Sequence, residues 1–485
     1  MSGAGGDAIR VVWRPQERQA AFMARAEYEA LYGGAAGGGK SEALVIEALR
    51  QIHIPHYKGL ILRKTYPELT ELIDKSLSYY PQVCAGARYN QTTHTWTFPS
   101  GARVIFGSLQ HDKDKTKYQG KAFDFIGFDE LTHFTYDEYS YLFSRNRANG
   151  PGTRCYIRST TNPGGVGHGW VKERFITAAA PMHTVWSATD VYFPDGHKER
   201  RMRSRVFVPS SVFDNQELLT NDPDYLTRLA ALPEAERKAL LYGDWDSFTG
   251  QVFNEWKNDP AHYEDRLWTH VVAPFDPPES WTYYRSFDWG YSHPFSVGWW
   301  AVDYDGRAYR ILEWYGCQKD RPDTGLQLTA AEVFAEVARV EREHPYLRGR
   351  KILGVADPAI WNAETGVSTA EVAARCGVYF QPGDHERIPG WQQLHYRLRF
   401  DSRGKPMMQV FCTCRDFIRT VPALVYSQTR VEDVDTDGED HIADETRYFC
   451  MMRPLAPKKQ KPADRWKAGP LYRNLGITRE DMING

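Results

Sequence analysis

Residues Gly34-Ala35-Ala36-Gly37-Gly38-Gly39-Lys40-Ser41 satisfy G-x-x-x-x-G-K-[ST] without a mismatch. The apolar run Ala30-Leu31-Tyr32 precedes them, and a helical spacing at Ala43, Leu44, Ile46, Glu47 and Leu49 follows. Strand, glycine loop and helix in that order make a phosphate-binding loop. Glycines such as Gly34, Gly37 and Gly39 let backbone N–H groups converge on phosphate oxygens, and the helix N-terminus favours the anion. Lys40 would reach the β- and γ-phosphates, and the Ser41 hydroxyl would ligate Mg²⁺. A merely flexible loop has no need of Lys-Ser at this register. The sequence predicts a site for a nucleoside triphosphate.

With 485 residues the chain has room for two or three domains. A hydrophobic content of 42% and a charged content of 25% are those of an ordinary globular protein. No apolar run approaches the roughly 18 residues that span a membrane. Met1 to Asp7 lack the basic start and apolar core of a secretory signal. Seven scattered cysteines point to a reducing compartment, and Cys412 and Cys414 read as an alternating pair rather than a zinc site. A net charge of −2 carries no global nucleic-acid signature, so any DNA contact must come from local patches. Lys113, Lys115, Lys117 and Lys121 form one patch, and Arg397, Arg399, Arg403 and Lys405 another; solvated charge explains each equally well.

Downstream of the loop, Gly59 to Lys64 reads as a second buried strand. Thr95 to Phe98 and Arg103 to Phe106 flank a Pro99-Ser100-Gly101 turn as a hairpin. Phe123 to Glu130 is an apolar strand ending in two carboxylates. Asp129 there fits a Mg²⁺ holder, and Glu130 a general base that polarises the attacking water. A further strand, Arg154 to Ser159, runs into Thr160-Thr161-Asn162-Pro163-Gly164. That polar cluster suits γ-phosphate sensing, and it equally suits an Asn-Pro-Gly turn. Gln19, upstream, has an amide able to read an adenine edge, though a surface helix would also carry a glutamine.

The second half begins after an irregular stretch, Gly250 to Pro278, which reads as a linker. Trp281 to Gly290 is an aromatic strand carrying Asp288. Strands Ser296 to Val302 and Ala308 to Tyr315 follow, then an amphipathic helix from Ala331 to Val340. Lys351 to Pro358 is an apolar strand ending in Asp357. His441 to Phe449 begins a late helix carrying Asp444. Acids on a first hairpin, at a later strand end and on a late helix make a ribonuclease H-like plan. Two Mg²⁺ or Mn²⁺ ions need such hard oxygen ligands for phosphodiester hydrolysis. Asp288, Asp357 and Asp444 are the candidate ligands, and three structural aspartates are the alternative from spacing alone. Glu313 is expected to face solvent, Asp303 and Asp305 to flank a hairpin turn, and Asp440 and His441 to shape the site without binding metal.

The order of these elements resembles the large terminase subunit of tailed bacteriophages. The residues carrying the likeness are Pro15, Gln19, Tyr32 to Ser41, Leu62-Arg63-Lys64-Thr65 and Tyr118-Gln119-Gly120. Phe128-Asp129-Glu130, Ser159 to Pro163 and Leu241-Tyr242-Gly243-Asp244-Trp245 complete the set. The resemblance implies an α/β protein: a P-loop ATPase domain at 1–250 with a mostly parallel sheet and flanking helices, then a linker at 251–278. A ribonuclease H-like nuclease domain at 279–453 and a flexible tail at 454–485 would follow. It implies ATP with Mg²⁺ as cofactor, Gln19 as the adenine motif, and Thr161 and Asn162 as the coupling motif. Implied partners are double-stranded DNA, a portal protein ring, a small terminase subunit and further copies of the chain in a docked ring, with no membrane. The implied location is the cytoplasm of an infected bacterial host, docked transiently on the procapsid and absent from the mature virion. Many relatives carry an arginine inside the phosphate loop, and residues 33 to 39 hold none. Arg145 and Arg147 are therefore candidates for a finger supplied by a neighbouring subunit. Competing readings are a cellular DNA-processing ATPase-nuclease for repair or transposition, and a nucleotide-gated DNA-binding scaffold without nuclease activity.

Overall fold

A computed structural model describes residues 10–453, apart from residues 247, 249, 320, 364, 365, 428, 429 and 431. The Met1 to Asp7 start and the 454–485 tail lie outside the described residues. The first half is built on nine strands: β1 Glu29–Gly34, β2 Lys58–Arg63, β3 Arg88–Asn90, β4 Thr95–Thr97, β5 Arg103–Ser108, β6 Phe125–Asp129, β7 Tyr156–Thr161, β8 Val185–Tyr192 and β9 Lys198–Ser210. They lie in the order β3-β4-β5-β2-β6-β7-β1-β9-β8. From β5 to β9 every pairing is parallel. Strands buried on both faces of a parallel sheet lose the polar alternation of a half-exposed strand, and β1 and β6 are buried throughout. The β4–β5 hairpin forms as the turn residues require.

The expected strand ending in Glu130 stops at Asp129, and the one beginning at Arg154 starts at Tyr156. A long antiparallel hairpin, β8–β9, has no counterpart in the sequence reading. The first part of β9, Lys-Glu-Arg-Arg-Met-Arg, runs beyond β1 and is charged on both faces because both faces meet solvent.

The second half carries β10 Val271–Val272, β11 Thr282–Asp288, β12 Ser296–Val302, β13 Ala308–Tyr315, β14 Cys317–Gln318, β15 Arg321–Gly325, β16 Ile352–Ala356, β17 Gln381–Pro382 and β18 Met408–Phe411. Seven of them form a sheet in the order β10-β18-β13-β12-β11-β16-β17. β11, β12 and β13 are an antiparallel meander, and β16 joins β11 in parallel. The stretch expected as a linker is part of this unit: β10 pairs with β18, and Val252 and Phe253 are buried in its core. Its apolar residues are isolated between Asp-Pro breakers, which hide them from a periodicity reading.

The late helix His441–Met452 is fastened to the meander by a buried charge. Glu445 accepts hydrogen bonds from Ser286 of β11, from Ser296 of β12 at 3.2 Å and from Arg310 of β13 at 2.7 Å. Glu445 and Arg310 are both fully buried. Trp300 stacks on Phe449 at 4.4 Å between ring centroids and donates its indole N–H to Ser286 Oγ at 2.7 Å. These contacts set the helix start beside the end of β11.

Several surface expectations change. Glu313 is buried and caps the helix Arg415–Thr420, accepting the N–H groups of Asp416 and Phe417 at 2.7 and 3.2 Å. Arg397 is buried and donates to the Arg453 carbonyl, so it leaves the expected basic patch. Lys115 pairs with Asp137, and Lys117 with Asp114. Asp303 and Asp305 sit in the β12–β13 turn as expected. All seven cysteines are free, with Cys414 buried and Cys412 half-buried.

The halves meet at Arg419, whose guanidinium lies 3.3 Å from Glu173 of the first half and pairs with Glu439 of its own. Close by lies a cavity of about 760 Å³, lined by Lys64 and Trp170 on one side and by His293, Asp323 and Glu439 on the other.

Two buried histidines give the fold a pH dependence. His168 accepts from Gly164 N–H at 3.0 Å and lies 3.1 Å from the Trp245 carbonyl; burial pulls its pKa from 6.5 to about 3. His270 is likewise pulled to about 4 by burial. The unfolded chain then binds protons that the folded chain refuses. Their stabilisation is complete above about pH 6.5 and is lost as pH falls toward these lowered values. Urea midpoints are expected to fall between pH 7.5 and pH 5, with a shallower fall in His168→Gln. A midpoint equally pH-dependent in that variant would remove His168 from the explanation. Glu445→Ala leaves Arg310 buried without its partner and is expected to cost about 3–5 kcal/mol in urea unfolding, with Glu445→Gln less severe.

Candidate functional site

The chain turns out of β1 into the glycine loop at its carboxyl end, and the helix Lys40–Glu47 leaves it. Loop carbonyls are held by side chains from four directions. Tyr32 donates to the Gly38 carbonyl at 2.8 Å, Asn215 to Gly37, Gln19 to Gly39 at 2.9 Å and Lys40 to Ala35. At Gly37, φ is +73°, and a Cβ there would lie 2.7 Å from Tyr225 and 2.9 Å from Leu218. Only glycine fits that position. Gln19, expected to read an adenine edge, spends both ends of its amide locally, since its Oε1 accepts from Gln16 N–H at 2.8 Å. It braces the loop.

Asp129, at the end of β6, is fully buried. Ser41 donates to its Oδ1 at 2.9 Å, Thr160 donates to the same oxygen, and Arg63 Nε donates to Oδ2 at 2.7 Å. Thus the Mg²⁺-ligating pair of the sequence reading, Ser41 and Asp129, is in direct contact. Burial pushes the Lys40 pKa down, and the carboxylates of Glu130 and Asp129 oppose it, so all three charges share one pocket.

Glu130 has φ +55° and ψ +61°, a left-handed conformation rare outside glycine. Neighbours hold it there: Asn162 donates from its backbone N–H at 3.1 Å and from its side chain at 3.0 Å, and Thr161 Oγ1 lies at 3.5 Å. Thr161 also contacts the Thr132 hydroxyl at 2.8 Å. The Thr161-Asn162 cluster therefore grips the candidate base.

Arg63 is a site residue that the sequence reading misses, although a charged residue at the carboxyl end of a central parallel strand is itself a signal. Arg145 and Arg147 lie at the opposite end of the sheet. Their backbones bond Phe123, which precedes β6, while Asp129 closes it. Neither belongs to this chain's own phosphate loop.

In the second half, Asp288 ends β11 and Asp357 follows β16. Phe287 and Ala356 are register partners on those adjacent parallel strands, so the two acids emerge side by side. Asp357 Oδ1 accepts from Ala359 N–H at 2.9 Å. Asp444 lies in the first turn of the late helix, bonded by Arg387 at 2.8 Å and by Arg447 at 2.9 Å. His441 Nδ1 lies 3.2 Å from Asp288 Oδ2. Burial pushes the Asp288 pKa up to about 6; His441 opposes this, and the charges of Asp444 and Asp357 add to it. Asp440 is pushed to about 7 by burial and then by Asp444. The three candidate carboxylates share one electrostatic neighbourhood. Arg447 stands three residues beyond Asp444, an i,i+3 helical pair readable in the sequence; Arg387 carries no such signal.

Residues 31–257 match the family described as terminase large subunit, T4likevirus-type, N-terminal. Among solved structures, the large terminase of a thermophilic bacteriophage is 15% identical, with 91% of this chain and 100% of that one covered, at a TM-score of 0.38. The HK97 bacteriophage large terminase is 10% identical over 90% of this chain and 94% of its own, at 0.44. The P22 large terminase nuclease domain is 20% identical over 42% of this chain and 93% of its own, at 0.31. No curated protein matches the chain.

Removing the Asn162 side chain leaves Glu130 with the Asn162 backbone donor, the Thr161 hydroxyl at 3.5 Å and a left-handed φ. Asn162→Ala is expected to slow nucleotide turnover about 100-fold with little change in nucleotide affinity, since a misplacement of about 1 Å costs that much. Phosphate release and nucleotide titration check it; unchanged turnover would show that Asn162 does not position Glu130.

Proposed function

We propose, from the match of residues 31–257 to the terminase large-subunit family, that this chain is the motor subunit that drives double-stranded DNA into tailed-phage procapsids and cuts concatemeric genomes. The observation that carries the reading is the union, in one chain, of a braced phosphate loop contacting Asp129 with three clustered acids, two at strand ends of a second sheet and one on the helix packed against it.

In the first half, Lys40 and the loop amides bind the ATP phosphates, and Ser41 and Asp129 would hold its Mg²⁺. Arg63 pairs with Asp129 and keeps its carboxylate oriented. Glu130 takes the proton of the attacking water. The grip of Thr161 and Asn162 on Glu130 links the state of the γ-phosphate to β7. A ring of subunits docked on the portal would let Arg145 or Arg147 reach a neighbour's nucleotide, since neither reaches its own. A small terminase subunit would choose the start site.

In the second half, Asp288, Asp357 and Asp444 would hold two Mg²⁺ or Mn²⁺ ions. The fit rests on the donor set: hard oxygens, side by side at strand ends, with one carboxyl pushed up by burial and by its neighbours' charge. Divalent ions held there would supply an activated water and charge stabilisation for the leaving 3′-oxygen of a phosphodiester. Arg387 and Arg447 keep Asp444 oriented. We assign 1–250 to the ATPase unit and 251–453 to the nuclease unit, with 251–278 joined to the latter.

Supercoiled plasmid is expected to be cut in Mg²⁺ or Mn²⁺ by the wild type and by Glu130→Ala, and at least about 100-fold more slowly by Asp288→Asn. Phosphate release from ATP should show the reverse pattern, falling about 10²–10⁴-fold in Glu130→Ala alone. Equal cutting by wild type and Asp288→Asn would overturn the nuclease assignment. In mixed rings, a trans finger predicts that ATPase loss departs from a straight line against the fraction of Arg145 or Arg147 variant.

A further inference from the structure

A second group of metal-binding side chains lies beside the three aspartates. His293 is on the turn between β11 and β12, Asp323 on β15, and His441 opens the late helix. His293 Nδ1 is 3.2 Å from Asp323 Oδ2, and His441 Nε2 is 3.2 Å from Asp323 Oδ1. One donor atom from each of the three lies within 4.8 Å of the other two. Each 3.2 Å contact, one to either oxygen of Asp323, is close to the spacing of neighbouring ligands on a tetrahedral ion with bonds of about 2.0–2.1 Å.

The surroundings favour such an ion. A metal-bound histidine nearly always gives its other ring N–H to a carboxylate or carbonyl. Here Asp288 sits at His441 Nδ1, and His441 Nε2 faces Asp323. Asp323 is fixed in turn: its φ is +57°, and its N–H is donated to Glu439 Oε1 at 2.8 Å. Both His293 and Asp323 line the cavity between the halves, so the remaining coordination position opens onto water.

We propose that His293, Asp323 and His441 form a mononuclear site for a divalent transition ion of the zinc class, separate from the Mg²⁺/Mn²⁺ ligands Asp288, Asp357 and Asp444. Two imidazoles select zinc or cobalt over magnesium, whereas the all-carboxylate site does not. Three protein ligands leave a fourth position free, as in zinc sites that act on substrate. That position faces the cavity and would take a phosphate oxygen of the DNA strand approaching the aspartates. This last role rests on the nuclease reading; the metal site does not.

The probe is Co²⁺, added to the EDTA-treated full-length chain in excess Mg²⁺. Wild type is expected to bind one equivalent, with visible d–d absorption that Zn²⁺ abolishes. His293→Ala, which alters a largely exposed side chain, should weaken cobalt binding at least about tenfold. Asp288→Asn should keep the cobalt band, because asparagine Oδ1 still accepts from His441 Nδ1. No cobalt uptake by wild type in excess Mg²⁺, or equal uptake by His293→Ala, would overturn the proposal. A band lost in Asp288→Asn and kept in His293→Ala would place cobalt on the aspartates and overturn it too. Plasmid cutting by Asp288→Asn reports on the nuclease reading separately.

Discussion

A carboxylate taken out of water must be given donors, and that demand decides which elements touch in both halves of this molecule. Asp129 is fully buried, and its donors come from the phosphate-loop helix, β2 and β7. Satisfying one side chain therefore registers three elements around the nucleotide site. Glu445 does the same in the second half, drawing donors from β11, β12 and β13 onto the late helix. That knot and the Trp300–Phe449 stack together fix His441 and Asp444 relative to Asp288. Each site is thus positioned by a buried charge close to it.

Much of this is legible in the sequence for a physical reason. Phosphate loops need glycine at special backbone angles, and central parallel strands need continuous apolar runs, so both leave local signatures. The strands carrying Asp129, Asp288 and Asp357 and the helix carrying Asp444 emerge that way, with ends displaced by a residue or two. The aspartates' convergence is not legible, because it depends on β16 joining β11 in parallel across a long stretch of chain.

Other features lie beyond local pattern. A glutamate on a strand next to an aromatic pair looks solvent-facing; Glu313 is buried because a helix N-terminus arrives from a distant part of the chain. Arg397 looks like part of a basic cluster, but the helix Arg387–Leu398 turns it inward. The β8–β9 hairpin is hidden by charge on both faces, the mark of a ribbon standing in solvent. For Gln19 the sequence conveys the hydrogen-bonding capacity but not the partner, since the nearest unsatisfied acceptor is the loop itself.

The Arg419 bridge gives the two halves unequal holds on one cation. Glu439 grips it from within the protein, while Glu173 is half exposed and open to counterions. At physiological ionic strength the screening length for exposed charges is about 8 Å, and buried pairs are screened far less. If the halves were drawn apart, the outer tie would yield first and the arginine would stay with the second half. Glu439 also anchors the Asp323 backbone. The seam is therefore asymmetric: its ionic latch is mounted on the second half, and the first half supplies only the catch.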